Sequence, residues 1–371
     1  MNSLKTSPDK HIHFILPFSG RKPVGGFKVV YEYANHLVGM GHQVTITHSA
    51  GLYLGVNPND RPIQNIAKFL IFGVTRQYLP TSWFRLDPKV KTRWVPSLKP
   101  FFGIPADVVI ATAWETAEWV ARYPASMGEK FYLIQHLEDW IAPRERVLAT
   151  WCLPLQKIVI SKWLSAIAND LGQAATVIPN GLDHDAFGVD LPPESRDPNN
   201  VLMLHHSLAF KGTAHGLEAL RIAKKEHPAL KVTLFGVHPP KTDSLPFWVH
   251  FELRPTQTRL RTLYNQAAIF LSPSLAEGWA LPPAEAMMCG CATVLTDIGG
   301  HEYAIDQKTS LLSAPEDARS MAEHMLTLLK DQGSRIQLGQ AGAVEMKQYD
   351  WNTSAQTFKE LLLTTSPVTK D

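Results

Sequence analysis

Two carboxylates eight residues apart, Glu277 and Glu285, carry the clearest chemical signal in this sequence. They stand in the run Ser272-Pro273-Ser274-Leu275-Ala276-Glu277-Gly278-Trp279-Ala280-Leu281-Pro282-Pro283-Ala284-Glu285-Ala286-Met287. Glu277 sits in a glycine-containing loop after an apolar stretch that reads as a strand. Glu285 falls near the start of a helix, in which Pro283 suits a first-turn position. Carboxylates placed this way can both face a ligand lying over a sheet. An ionised carboxylate accepts hydrogen bonds from vicinal hydroxyls, and the loop and helix start offer N–H groups to an anion. The same pair also fits a solvated loop followed by a carboxylate that favours a helix dipole.

The elements that must hold such residues alternate between strand and helix. His11 to Leu16, Gln43 to His48, Asp107 to Ile110, Lys130 to Ile134, Lys157 to Ile160 and Thr176 to Ile178 read as strands. Helical spacing covers Phe27 to Met40, after Gly25-Gly26, and Glu115 to Arg122. Pro179-Asn180-Gly181 is a turn signal, and residues 183–200, with Pro192, Pro193 and Pro198, read as a linker. A second series follows, with strands near 201–204, 231–235, 268–271 and 292–295. Its helices fall near 216–225, 258–266, 283–288, 318–329 and 351–363. The pattern predicts an α/β protein of two Rossmann-like doubly wound domains, 1–182 and 201–348, with ligands at the carboxyl ends of the strands and in a cleft between the domains.

Length and composition agree with that class. The chain has 371 residues, 45% hydrophobic and 19% charged, with a formal net charge of +2. This excludes a wholly disordered chain and gives no support to a dedicated nucleic-acid binder. Residues 1–180 hold 19 Lys/Arg against 12 Asp/Glu, and residues 181–371 hold 17 against 22, so a basic half is joined to an acidic one. No apolar run is long enough to span a bilayer, and the polar start predicts a cytoplasmic protein. The three cysteines, Cys152, Cys289 and Cys291, have no framework spacing, which fits a reducing compartment. From Trp83 to Phe102, five basic residues alternate with aromatics. That run suits either peripheral contact with an anionic inner membrane face or packing under a surface loop.

The Ser272–Met287 run resembles the E-x7-E motif of retaining, GT-B-fold glycosyltransferases of family 4, which use nucleotide sugars. Three more stretches are similar in the same order: Val177-Ile178-Pro179-Asn180-Gly181-Leu182-Asp183; Cys289-Gly290-Cys291-Ala292-Thr293-Val294 with Thr296-Asp297-Ile298-Gly299-Gly300; and Gly25-Gly26 with Gly41-His42-Gln43-Val44. The resemblance implies a GT-B fold, two domains facing across a cleft, with residues 349–371 forming a helix that returns to the first domain. It implies donor-ribose binding by Glu285, donor-sugar contact by Glu277, and backbone contacts from Gly278, Trp279, Ala280 and Leu281, with Gly25 and Gly26 also on the donor. Lys211, before Gly212, matches the family's diphosphate-binding lysine. His206 stands where the family has arginine, so a fixed charge and fork are replaced by an imidazole. Arg254 and Lys241 are the next candidate cations.

His136 matches the family's catalytic-site histidine, and as a lone histidine after a strand it also has a structural reading. Glu138 would orient His136 or bind acceptor hydroxyls. Trp114 would stack on a sugar face or fill a core, with Thr112 beside it where relatives carry histidine. The implied activity is transfer of a sugar from a nucleoside diphosphate to a glycan or lipid-linked glycan with retention. The leaving diphosphate takes the proton, and no metal or other cofactor is expected. A same-fold phosphorylase or epimerase, or a non-catalytic nucleotide-sugar-binding subunit, stays open.

Overall fold

The computed structural model describes residues 9–51, 62–240 and 245–364. The chain divides into two compact units: unit 1, Met1–Gly181 with Trp351–Asp371, and unit 2, Leu182–Asp350. In unit 1 the chain runs β1 His11–Leu16, α1 Gly25–Gly39, β2 Gln43–Ser49, α2 Pro62–Thr75, β3 Lys91–Val95, β4 Val108–Ala111, α3 Trp114–Ala121, β5 Glu129–Ile134, α4 Arg144–Trp151, β6 Gln156–Val159, α5 Lys162–Asp170 and β7 Ala175–Val177. Its seven strands are parallel in the order β3-β2-β1-β4-β5-β6-β7. A parallel sheet is covered on both faces, so its central strands are continuous apolar runs, and β4 is buried throughout.

Unit 2 runs β8 Asn200–Leu204, α6 Thr213–Glu226, β9 Lys231–Gly236, β10 Val249–Leu253, α7 Gln257–Gln266, β11 Ile269–Ser272, α8 Leu281–Met288, β12 Ala292–Thr296, β13 Leu311–Ser313, α9 Ala318–Lys330 and α10 Gln332–Glu345. Its parallel order is β10-β9-β8-β11-β12-β13. Strand order reverses between β1 and β4 in unit 1 and between β8 and β11 in unit 2. At such reversals neighbouring loops diverge and leave a crevice at the carboxyl edge. The last helix, α11 Trp351–Thr364, belongs to unit 1. There Tyr33 of α1 stacks on Phe358 at 4.2 Å and meets Trp351 edge-on at 5.4 Å, while Phe14 of β1 lies 6.2 Å from Phe358.

Residues 182–200, which read as a linker, are strapped to unit 2 by polar side chains. Asn265 Oδ1 accepts the N–H groups of Asp190 and Leu191, and Arg261 holds the Asp190 carboxylate with two bonds. The buried Arg196 guanidinium donates to the carbonyls of Leu191, Ala267 and Cys289. The low apolar content that suggested a linker is offset by these hydrogen bonds, which close the carbonyls of two loops.

Strands β1 and β2 bury histidines in place of hydrocarbon. His13 Nε2 lies 2.7 Å from Thr47 Oγ1, and His48 Nδ1 lies 2.9 Å from the Phe18 carbonyl. Burial lowers His13 to a pKa of about 3, helped by the Arg93 charge, and lowers His48 to about 4 against the pull of the Phe18 carbonyl. Both rings are therefore neutral in the folded state, whereas the unfolded chain binds protons below about 6.5. Stability contributed by the neutral rings is complete above pH 6.5 and is lost as pH falls toward 4. At pH 5 the loss should approach about 2 kcal/mol per histidine. Amide hydrogen exchange of β1 and β2, corrected for intrinsic rates, should show weaker protection at pH 5 than at pH 7, and His13→Gln should narrow the difference. Equal protection at both pH values would refute this account.

Candidate active site

The residues singled out in the C-terminal half converge on the crevice between β8 and β11. Strand β8 leads through His205 and His206 to Lys211, which ends a short turn before Gly212. Gly212 has φ 63°, and a Cβ there would lie 1.8 Å from the Pro273 carbonyl oxygen, so only glycine fits. The loop after β11 is tied to the same turn, with Leu275 N–H donating to Phe210 O at 2.7 Å. These constraints bring Lys211 Nζ to 2.8 Å from both carboxylate oxygens of Glu277, and Ser274 Oγ donates to Oε1 at 2.8 Å.

Glu277 is 8% exposed. Burial alone would raise its carboxyl, but the Lys211 charge and hydrogen bonds, then Ser274 and His301, outweigh burial and hold it below its ordinary value. Gly300 allows the packing: a Cβ there would meet Glu277 Cβ at 2.3 Å. An ammonium has three N–H groups. Two point at Glu277, which leaves Lys211 one for a further acceptor.

Glu285 is the fifth residue of α8 rather than a first-turn residue. It is buried, and Tyr264 O–H donates to its Oε2 at 3.2 Å. The donor-rich helix start expected over Gly278–Leu281 is thinner than its sequence suggested. Ala280 N–H is spent on Gly300 O at 2.9 Å. Pro282 and Pro283, at the second and third positions of α8, have no N–H. The Trp279 side chain is 4% exposed, packed on Tyr303 and Tyr349 at 4.7 and 5.4 Å. Trp279 and Ala280 thus shape the loop from beneath, while Gly278 and the half-buried Leu281 flank it.

At the position where the family has arginine, His206 is half-buried. Its Nδ1 accepts Leu208 N–H at 3.1 Å, so a neutral ring carries its proton on Nε2. Burial first, then the Lys211 charge, His205 and His238, lower its pKa from the ordinary value against the attraction of Glu277. His205 packs edge-on against Phe251 at 5.5 Å, and burial lowers its pKa too. Arg254 follows β10, the outermost strand, and donates Nε–H to Val237 O at 2.7 Å. Lys241 lies outside the described residues.

In unit 1 the carboxyl edge carries Gly25, Gly26, His136 and Glu138. Gln135, which sequence reasoning passed over, donates to Gly26 O at 3.0 Å and ties the start of α1 to the loop after β5. His136 Nδ1 accepts Leu137 N–H at 2.8 Å, and its ring meets Trp140 and Trp163 edge-on at 4.3 and 6.0 Å. Glu138 adopts φ 59°, and its Oε2 accepts Trp114 N–H at 2.9 Å. Burial pushes the Glu138 carboxyl up to about 8; the Trp114 N–H opposes this and Glu115 adds to it. A carboxyl that holds its proton at neutral pH can donate a hydrogen bond as well as accept one.

Trp114 itself is 2% exposed, with the Arg146 guanidinium 4.7 Å from its ring centre, so its faces are taken. The sugar-stacking role considered for it gives way to packing. Thr112 is likewise structural, donating to Ile15 O at 2.7 Å.

A lysine, a paired carboxylate and glycine-shaped loops thus stand at the switch point of a parallel sheet, the edge at which α/β domains bind ligands. Residues 200–331 match the model of the glycosyl transferases group 1 family. With its two parallel-sheet units the chain has the GT-B fold. It matches the Anabaena protein HepE, solved in complex with UDP-glucose, with TM-score 0.71 at 15% identity over 96% of this chain and all of that one. The chain is 26% identical over 212 residues to the sulfoquinovosyl transferase SQD2 of Arabidopsis thaliana, covering 51% of this chain and 41% of the relative. It is 29% identical over 168 residues to the N,N'-diacetylbacillosaminyl-diphospho-undecaprenol alpha-1,3-N-acetylgalactosaminyltransferase of Campylobacter jejuni, 43% of each. The matched stretches span less than half the length of these two relatives.

The Lys211–Glu277 pair is largely buried, so removing one partner strands the other. Lys211→Ala should lower the stability of unit 2 by about 2–3 kcal/mol in urea denaturation, below the range for fully buried pairs because both groups keep some contact with water. Adding Glu277→Gln should restore at least half of the loss. Additive losses in the double variant would show that the two charges are not coupled.

Proposed function

We propose that the protein is a retaining glycosyltransferase of family 4 that moves a sugar from a nucleoside diphosphate to a hydroxyl of a glycan or lipid-linked glycan. The observation that carries this reading is the Lys211–Glu277 pair at the β8/β11 crevice, with Glu285 buried in the helix that follows β11. Glu285 accepts the ribose hydroxyls and Glu277 accepts hydroxyls of the donor sugar. The third N–H of Lys211 goes to the diphosphate, and backbone N–H groups at Gly278 and Leu281 assist. Gly25 and Gly26 are assigned to the donor, His136 to the catalytic set and Glu138 to the acceptor.

In the reaction the bond from the anomeric carbon to the diphosphate oxygen breaks, and a bond to the acceptor oxygen forms on the same face. The acceptor's proton passes to the departing diphosphate. On this scheme no side-chain base is required and no resident metal is assigned. A uridine diphosphate donor is supported by the UDP-glucose complex of HepE, and a lipid-linked acceptor by the name of the Campylobacter jejuni relative. Assembly of cell-surface polysaccharide or glycolipid, at the cytoplasmic side of a membrane, is the role that fits. The neutral His206 in place of arginine favours a second reading, a subunit that binds nucleotide sugars without turnover.

The test is a thermal-shift screen of nucleoside diphosphates, followed by product analysis with donor and acceptor panels and assignment of the new anomeric centre. A ligand at 100 times its Kd adds about 2.7 kcal/mol. Glu285→Ala should weaken nucleoside diphosphate binding by about 1.5–3 kcal/mol; unchanged affinity in a folded variant would remove Glu285 from the ribose. Binding without turnover on every acceptor would favour the second reading.

His206 gives the binding a pH dependence. Its free pKa is below the ordinary value, and a diphosphate beside it favours the imidazolium. Binding then takes up a proton between the free and the bound pKa, so affinity is highest in acid and falls as pH rises from the free toward the bound value. His206→Arg should flatten that profile in calorimetric titrations at pH 5.5, 6.5 and 7.5. Identical profiles for the two proteins would show that His206 does not meet the diphosphate.

A further inference from the structure

Helix α2 is apolar on its exposed side. Ile66, Leu70, Ile71 and Val74 are 49, 58, 54 and 87% exposed. At 100° per residue these four, with the exposed Ala67, span an arc of about 140° that contains no polar side chain. The opposite side does the packing: Phe72 is buried, Phe69 and Phe72 lie 6.0 and 6.1 Å from Trp94 of β3, and Trp94 donates Nε1–H to Phe69 O at 2.9 Å. The exposed arc is therefore not what anchors the helix. An uninterrupted apolar stripe of this kind on a surface marks something to be covered.

Lys68, exposed, lies next to the stripe on the helix surface and Arg76 follows the last turn; Lys68 and Arg21 place their charges 5.4 and 5.6 Å from the Phe72 ring on the packed side. Residues 62–99, which build α2 and the edge strand β3, hold seven Lys/Arg and one acidic residue, Asp87. The aromatics of the 83–102 run are mostly committed within unit 1, with Trp83 donating to Gly20 O at 2.8 Å and Trp94 bound as above; Phe101, 89% exposed, is the exception.

We propose that the exposed face of α2 lies in the interface of an anionic lipid bilayer, with Ile66, Leu70, Ile71 and Val74 among the acyl chains and Lys68 and Arg76 at the headgroups. An apolar arc rimmed by cations is the complement of such a surface. A second copy of this chain is disfavoured, because a two-fold contact through α2 would set the same cations against each other. Helix α2 starts from the carboxyl edge of the sheet, the edge that carries Gly25, Gly26 and His136. Such docking would hold unit 1 at the membrane surface, which deepens the lipid-linked acceptor reading and rests on it.

The experiment is sedimentation of the full chain with vesicles of phosphatidylcholine, alone or with 30% phosphatidylglycerol, with mass measured by light scattering without lipid. Binding is expected to anionic vesicles, at least tenfold weaker to neutral ones, and weakened several-fold between about 50 and 500 mM salt. Leu70→Glu/Val74→Glu changes two exposed residues and should lower binding at least tenfold. Lys68→Glu should lower it roughly fivefold or more. No binding to anionic vesicles, or binding unchanged in the double variant, overturns the proposal. So does a dimer that the double variant converts to a monomer. UDP binding, measured on the same preparations by thermal shift, should be equal in all variants. Failure of the wild type to bind anionic vesicles with its UDP binding intact sinks this inference alone, and absence of UDP binding in the wild type sinks the donor reading instead.

Discussion

A strand that pairs in parallel with the one before it must be reached by a crossover, and every crossover leaves from the carboxyl edge of the sheet. That constraint organises both units. Backbone groups inside the sheets are saturated, so groups free to meet a ligand must come from the loops, and those that leave the strands gather at one edge. In unit 2 this places the loops after β8, β11 and β12 side by side, and Gly212 and Gly300 let them touch. The Lys211–Glu277 pair exists because those loops meet, although its members are 66 residues apart.

Buried charge in unit 2 is largely closed on itself. Lys211 answers Glu277, and Arg196 is absorbed by carbonyl oxygens. His206 is held neutral by burial and by the neighbouring ammonium. The positive surplus of the chain lies in its first 180 residues. Long-range attraction of an anionic ligand or surface therefore comes chiefly from unit 1, whereas unit 2 supplies short-range groups that are already positioned. Pre-positioning lowers the entropic cost of holding a ligand and does not add to its attraction from afar.

The central strands were legible because burial on both faces leaves an unmistakable apolar run, as in Val108-Val109-Ile110. The edge strands β3 and β10 were not: β3 reads Lys91-Thr92-Arg93-Trp94-Val95 and β10 reads Val249-His250-Phe251-Glu252-Leu253, both mostly half-buried or exposed. The attachment of residues 183–200 to unit 2 was illegible for a related reason. Their anchors are Arg196 and the partner Asn265, and hydrogen bonds to distant carbonyls leave no periodicity in the sequence. At the site, Glu277, Lys211 and Glu285 stood out through resemblance, but the pairing of the first two did not. Trp114 and Trp279 were ambiguous by type, since an indole serves a core as readily as a sugar, and only their burial decides.

Glu138 shows how far local chemistry can depart from composition. Its positive φ turns the side chain back toward the start of α3, where the Trp114 N–H waits as a donor. A helix start normally favours an ionised carboxylate. Here burial outweighs that bond, and Glu115 adds like charge, so the carboxyl keeps its proton near neutrality. The result is a hydroxyl donor and a carbonyl acceptor on one rigid group, next in the chain to the His136 loop. Paired donor and acceptor on a fixed frame is the geometry that a sugar hydroxyl, itself both donor and acceptor, can meet without an unpaired partner. A permanently ionised aspartate or glutamate at the same place would only accept. The carboxyl's burial, more than its sequence position, therefore decides which hydrogen bonds this edge of unit 1 can offer.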